Sequence, residues 1–297
     1  MKKLITGIFL IVSIAFVQAQ TPNSQAFGIK QYQYYGQDEK GNALVTFSSG
    51  NKIEMCNMEG TDVYSNEKSG TYTTSAVNGL DFINITYSTG ANEKFLFLTL
   101  NDNTSLPINR LYLYKSDSGP YFGHIRESWF TTHVKFGNSS WITASSSLEE
   151  KTGGKTVIYS PDKLGYKIGE CWVPAKPLNE KLILSVDYGF TMEDQRASRQ
   201  RTPSKGGFYI SSGFISFSKP HLYRENARPK KIRLSSNHGE TRIIDLADTP
   251  HFQPLPIDEM LDDNNTAKIT IEILEVYPGT KYKDVCINAI CYFWSRG

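Results

Sequence analysis

The sequence predicts an all-β protein: an N-terminal antiparallel meander or small barrel, followed by a β-sandwich. Three observations predict it. Short segments of alternating apolar and polar residues recur from about Gln31 onward, with Gly, Asn, Pro and Ser between them, the period-2 signature of half-buried strands. No stretch of the first half sustains a helical period. The stretch Val276–Ile290 runs from the end of an apolar alternation (Ile269, Ile271, Ile273) through Pro278-Gly279 into a second one (Val285, Ile287, Ala289), which reads as strand, tight turn, short linker and strand. A terminal strand of this kind needs a partner edge for its backbone groups.

The elements follow in order. Residues 20–28 are polar and read as a loose lead-in. Ala43–Phe47 and Lys52–Cys56 flank Ser48-Ser49-Gly50-Asn51, a hairpin turn. Thr71–Val77 and Leu80–Tyr87 flank Asn78-Gly79, the strongest short hairpin signal because both residues tolerate positive φ. Ile83, Ile85 and Tyr87 share one face of their strand, and Leu96, Leu98 and Leu100 share a face of the next. Leu111–Tyr114 is a further strand, ended by Ser116–Pro120. A meander of this size must bury one face, by closing on itself or by packing on its neighbour.

Residues 126–140 read as the junction, with the boundary near Phe136. Beyond it come Trp141–Leu148, a polar glycine-containing excursion over 149–155, Ile168–Val173 and Lys181–Gly189. Residues 191–207 are polar and irregular. Ile232 and Leu234 then alternate with Lys231 and Arg233, a strand with one wet face. Thr241–Ala247, Gln253–Ile257 and Lys268–Val276 complete a set of strands spaced as in a sandwich. The expected organisation is 1–19 signal peptide, 20–136 meander or barrel-like domain, and 137–297 sandwich domain.

The first residues set the expected compartment. Lys2 and Lys3 precede an apolar run from Leu4 to Val17, and Val17-Gln18-Ala19 offers a small-residue cleavage site, the pattern of a secretory signal peptide. Cleavage near Ala19 leaves an exported, periplasmic or secreted chain, and no later apolar run reaches spanning length. Lys plus Arg total 32 against 30 for Asp plus Glu, which provides no basic field for nucleic acid. Four cysteines (Cys56, Cys171, Cys286, Cys291) allow three complete disulfide pairings or buried free thiols. Were 284–291 one straight strand, Cys286 and Cys291 would point to opposite faces about 16 Å apart, which argues against that pair. No C-x2-C spacing suggests zinc.

The second half resembles a known module. Ala144–Leu148, Ile168–Val173, Asp187–Phe190, Glu225–Ile232, Asp245–Gln253 and Val276–Ile287 together resemble the discoidin-like (F5/8 type C-like, galactose-binding-like) jelly-roll domain found beside NAD glycohydrolase toxins. The resemblance covers about residues 140–292. It implies a jelly-roll sandwich and a glycan-binding or translocation role. The chain departs from that pattern ahead of the Gly169-Glu170 block, in a long insert at 191–207, and at Asn288-Ala289-Ile290, where the family usually reads Ser-Glu-Ile. These positions read as loops, so they bear on ligand more than on fold.

The candidate ligand-binding residues are Glu170, Tyr188, Asn226 and Arg228. A carboxylate beside an aromatic, as in Glu170 with Trp172, grips sugar hydroxyls and stacks on a sugar face. Equally, Glu170 can accept backbone N–H groups or pair with Arg228, and Trp172 can be core. Arg228 offers a planar donor fork for a ligand, or a buried ion pair while Asn226 caps a turn. Arg196, Arg199 and Arg201 can clasp an acidic glycan or form a solvated loop. The five histidines show no metal spacing. No cofactor is expected, although Asp262-Asp263 beside Asn264-Asn265 could hold Ca²⁺. The reading is an exported binding protein, non-enzymatic, for a carbohydrate or another cell-surface ligand. The alternatives are a glycan-directed hydrolase targeted by the jelly roll, which needs two facing carboxylates about 5 to 10 Å apart, or an envelope docking module.

Overall fold

The computed structural model describes residues 32–38, 40–59, 63–100, 110–123, 142–165, 167–187, 206–262 and 266–294. The expected signal peptide, the boundary at Phe136, the arginine cluster and Tyr188 lie outside these residues. The protein is all-β. Strands β1 (Tyr32–Asp38), β2 (Gly41–Ser48), β3 (Lys52–Glu59), β4 (Val63–Val77), β5 (Leu80–Tyr87), β6 (Asn92–Leu100) and β7 (Arg110–Tyr114) form a seven-stranded antiparallel meander in sequence order. The predicted hairpins are present. Asn78 and Gly79 both take positive φ, 53° and 84°, at the β4–β5 turn, which matches the twist of the strands they join.

The meander buries both faces, where the sequence required only one. Ile83, Ile85, Tyr87, Phe95, Phe97, Leu111 and Leu113 fill its curled inner face with Val45, Phe47 and Phe122. Leu80, Phe82, Leu96, Leu98, Leu100, Tyr112 and Tyr114 fill the other face and meet Ile168, Tyr209, Ile215, Tyr223, Phe252, Ala289 and Cys291 of the second half. From Phe95 to Leu100 every side chain is buried. The two expected routes, closure and packing on a neighbour, are thus both taken in part.

The second half is a sandwich. β8 (Ile142–Ala144), β11 (Lys181–Asp187), β13 (Arg228–Ser236), β14 (Thr241–Asp245) and β16 (Thr266–Tyr277) form a five-stranded sheet in the order β14-β13-β16-β11-β8. β12 (Gly206–Ser212), β15 (Gln253–Leu255) and β17 (Ile287–Trp294) form the facing sheet, β15-β12-β17. Leu182, Leu184, Ile232, Leu234, Ile269, Ile271 and Ile273 of the first sheet pack on Phe208, Ile210, Leu255, Ile287 and Ile290 of the second. The strands either side of the Pro278-Gly279 turn therefore lie in opposite sheets. The wet face expected for β13 carries ion pairs, Lys231 to Glu275 at 2.7 Å and Arg233 to Glu272 at 2.9 Å. Such exposed pairs contribute little individually.

Four local expectations change. The polar excursion at 149–155 is a hairpin, β9 (Glu149–Thr152) with β10 (Lys155–Ile158), turned by Gly153 and Gly154 at positive φ. Ile168–Val173 forms no strand, only an isolated bridge between Trp172 and Ile287. The final alternation breaks: a bulge opposite Ser211/Ser212 leaves Val285 and Ile287 in the sandwich interior while Ala289 faces the meander, as an inserted residue shifts facing by one. Asn288-Ala289-Ile290 consequently lies in a buried strand, not a loop. A carboxylate at position 289 would be buried in the apolar cluster that also holds Leu98 and Tyr112, where it is costly.

Polar contacts also join the halves. Asp117, just after β7, accepts hydrogen bonds from the Phe217 N–H, the Ser216 hydroxyl at 3.0 Å and the Ser218 hydroxyl. Thr99 N–H donates to His251 Nδ1 at 3.1 Å, and His251 Nε2 lies 3.0 Å from Asp81. Among the described residues no helix is long and apolar enough to cross a membrane.

Candidate functional site

One end of the sandwich gathers most of the predicted residues. The topology sets this: β13 begins at Arg228, which pairs with Tyr277 at the end of β16. The loops leading into β13 and out of β16 therefore meet. Residues 222–225 form a single helical turn, α1 (Leu222–Glu225). Ala227 bridges Val285 in parallel, and Ala227 N–H donates to Asp284 O at 2.9 Å. Thr280, Lys281 and Tyr282 N–H groups donate to Arg224 and Glu225 carbonyls at 3.0, 3.1 and 2.8 Å, satisfying carbonyls that a helix end leaves open.

Gly279 permits this approach. A Cβ there would strike the backbone oxygens of Tyr282 and Glu225. Replacing Gly279 by Ala is expected to displace the 278–284 loop and cost roughly 1–3 kcal/mol, as overpacking against rigid backbone does. Hydrogen exchange would report it as faster exchange at the Thr280, Lys281 and Tyr282 amides. Unchanged protection there would refute the argument.

Arg228 is the centre of the rim. It is 3% exposed. Its Nε and one terminal nitrogen reach the two Asp248 oxygens at 2.7 and 3.2 Å, and its other terminal nitrogen donates to the carbonyls of Tyr223 at 2.9 Å and Asn226 at 2.6 Å. The Tyr223 ring lies 5.1 Å from the guanidinium carbon, within cation–π range. Burial raises the Asp248 carboxyl, but Arg228 and Arg224 outweigh that effect and hold it below the usual carboxylate range. Asn226 is 8% exposed and caps α1, its side-chain amide donating to Leu222 O at 2.9 Å. Gly213, at φ 97°, gives the Tyr223 ring and the Arg228 stem their room.

Glu170 lies on this side of the fold but does not pair with Arg228. It is exposed and reaches Lys163 at 3.6 Å. Trp172 is fully buried, its Nε1 donating to Ser146 O at 3.1 Å, so it presents no face to a ligand. Tyr188 follows Asp187, which pairs with Thr266 at the opposite end of β16 from Tyr277. The length of β16 separates those two ends by about 35 Å; Tyr188 itself lies outside the described residues.

Sequence reasoning missed two parts of the rim. Asp248, the partner of Arg228, lay inside the Asp245–Gln253 block without a signal of its own. Tyr282 is an exposed aromatic, 38% exposed, between Lys281 and Lys283 at the tip of the 278–284 loop. Polar loop residues around an exposed tyrosine were the available cue. Lys281 Nζ lies 4.9 Å from that ring and 3.6 Å from Glu225. Burial, with the Glu150 charge, pushes the nearby Asp284 carboxyl up. Among the described residues no group of three or more His, Cys, Asp or Glu is placed to hold a metal ion. Of the Asp262–Asn265 stretch only Asp262 is described, 3.8 Å from His238 Nε2.

Fold and rim together define a discoidin-like β-sandwich that presents its connecting loops at one end. More narrowly, residues 206–293 match the family model described as the NAD glycohydrolase translocation F5/8 type C domain. That match runs from β12 to β17. The earlier resembling blocks, including those on β8 and β11, precede it, although both strands are bonded into the same sandwich. No curated protein matches the chain.

Proposed function

We propose that this chain is an exported, non-enzymatic binding protein whose C-terminal sandwich recognises carbohydrate at a cell surface through the rim formed by residues 213–228, 246–252 and 277–286. The observation that carries the reading is Tyr282, an exposed ring on a loop that backbone hydrogen bonds fix to α1, with Lys281 and Lys283 beside it. An aromatic face held in place loses little entropy on stacking against a sugar. The match of 206–293 to an F5/8 type C domain associated with translocation supports a binding or translocation module. The basic and apolar N-terminal run with its small-residue cleavage site supports export.

In this reading the four predicted residues divide by role. Glu170, exposed, touches the ligand. Asn226 and Arg228 position the loops from beneath. Tyr188 lies outside the described residues and is given no role in the rim. A glycan array probed with the full mature chain tests the function, and titration of a retained glycan tests the site. Tyr282→Ala is expected to weaken binding by about tenfold or more, the size of an anchoring aromatic contact, with Glu170→Gln weaker in the same direction. An array with no glycan retained at millimolar concentrations would overturn the reading. Full affinity in Tyr282→Ala would move the site elsewhere.

A further inference from the structure

Beneath the rim a small cluster of Cys171, Val173 and Cys286 packs with Leu148, Tyr159 and Phe214. Cys171 is fully buried and Cys286 is 2% exposed. Both residues flank one antiparallel bridge, in which Trp172 and Ile287 exchange hydrogen bonds of 3.0 Å in each direction. Both side chains lie in this one buried cluster, and the Cys286 thiol donates toward Asp284 O at 3.8 Å. Cys286 is held on both sides, its N–H donating to Ala227 O at 3.1 Å and its carbonyl accepting from Gly213 N–H at 2.9 Å. The remaining thiols sit apart from this pair. Cys291 is buried between the two halves, and Cys56 lies on β3 of the meander. All four are thiols in this structure.

We infer that Cys171 and Cys286 are the site of a single structural disulfide, with Cys56 and Cys291 remaining thiols. The co-reactant is a disulfide compound of the glutathione class. A thiolate from one cysteine attacks it, forming a mixed disulfide and releasing one small thiol. The second cysteine, on losing its proton, displaces the other small thiol and closes the Sγ–Sγ bond. Two protein thiols thus lose two electrons and two protons, and one disulfide compound becomes two thiols. Burial holds the Cys171 thiol well above its usual range, and the β9–β10 hairpin covers the pair through Leu148 and Tyr159. Exchange therefore runs while the chain folds and is slow once it has folded. The bond closes a loop of roughly 115 residues and ties the segment bearing Glu170 to the last strand, so it restricts the unfolded chain strongly.

The full mature chain, refolded from the reduced and denatured state in a glutathione redox buffer, tests this. After alkylation under denaturing conditions, non-reducing peptide mapping is expected to join the Cys171 and Cys286 peptides and to find Cys56 and Cys291 alkylated. Dithiothreitol is expected to lower Tm by on the order of 10 °C. Cys171→Ser/Cys286→Ser should lose that redox dependence, and Cys56→Ser/Cys291→Ala should keep it. Four alkylated cysteines after refolding, or a bond joining any other pair, overturns the inference.

Discussion

Replacing Arg228 by Ala is expected to destabilise the sandwich by roughly 3–5 kcal/mol, the cost of removing one partner from a buried ion pair. The substitution leaves the Asp248 carboxylate without its fork and frees the carbonyls of Tyr223 and Asn226, which the guanidinium now satisfies. Asp248 is 25% exposed at its side chain, so water screens part of this loss, and Arg224 remains as a second cation. The lower end of the range is the better guide for that reason. Arg228→Lys should recover little, because an ammonium cannot span both oxygens and two carbonyls at once. Asp248→Asn in the Arg228→Ala background should cost less than the sum of the single changes, since the two groups share one interaction. Urea unfolding checks all three through the midpoint at constant slope.

The same pair predicts a pH dependence with a definite sign. Burial opposes ionisation of Asp248, and the two arginines more than offset it, so its folded-state pKa lies below that of the unfolded chain. A depressed carboxyl stabilises the fold above its unfolded value, about pH 4, and this contribution disappears as pH falls through the folded value. Below about pH 4 the wild-type chain should therefore lose stability that Arg228→Ala has already lost at neutral pH. Curves that stay parallel through that window would show that Asp248 draws its stabilisation from another group.

Trp172→Ala is expected to have an effect of similar size, roughly 3–5 kcal/mol, from the large cavity it leaves. The ring is fully buried among the facing strands of the sandwich and its indole N–H satisfies Ser146 O. A carbonyl left without its donor adds to the cavity cost. Tm should fall by on the order of 10 °C. Glycan affinity measured well below the new Tm should be unchanged, because no part of the ring reaches solvent. A normal melt with lost binding would instead place Trp172 at the ligand.

These two residues show how far the candidate site was legible. Block by block, the chain announced that Glu170-Cys171-Trp172 and Asn226-Ala227-Arg228 mattered. It left open whether they grip a ligand or hold the fold. Burial resolves Trp172 and places Arg228 in an intramolecular network, while Glu170 stays exposed. Burial is a property of neighbours contributed by segments far along the chain, and no local pattern encodes it. Asp248 stands 20 residues from Arg228, in a stretch without periodicity.

The sequence by itself determined the strands whose faces differ and the hairpins whose turns need positive φ. Asn78-Gly79 fixes its hairpin through backbone freedom that few residues have, and the alternation of Ile83, Ile85 and Tyr87 fixes which side of β5 faces inward. Gly153-Gly154 turned a hairpin that the polar residues around it disguised, because β10 is exposed along its whole length and carries no alternation. Only the tertiary structure decided that the meander buries its second face on the sandwich, that a bulge shifts Ala289 onto that face, and that Cys171 meets Cys286. Local conformation follows from steric and hydrogen-bonding rules acting within a few residues. Contacts between distant segments follow from the packing of whole surfaces, which exist only once the sheets have formed.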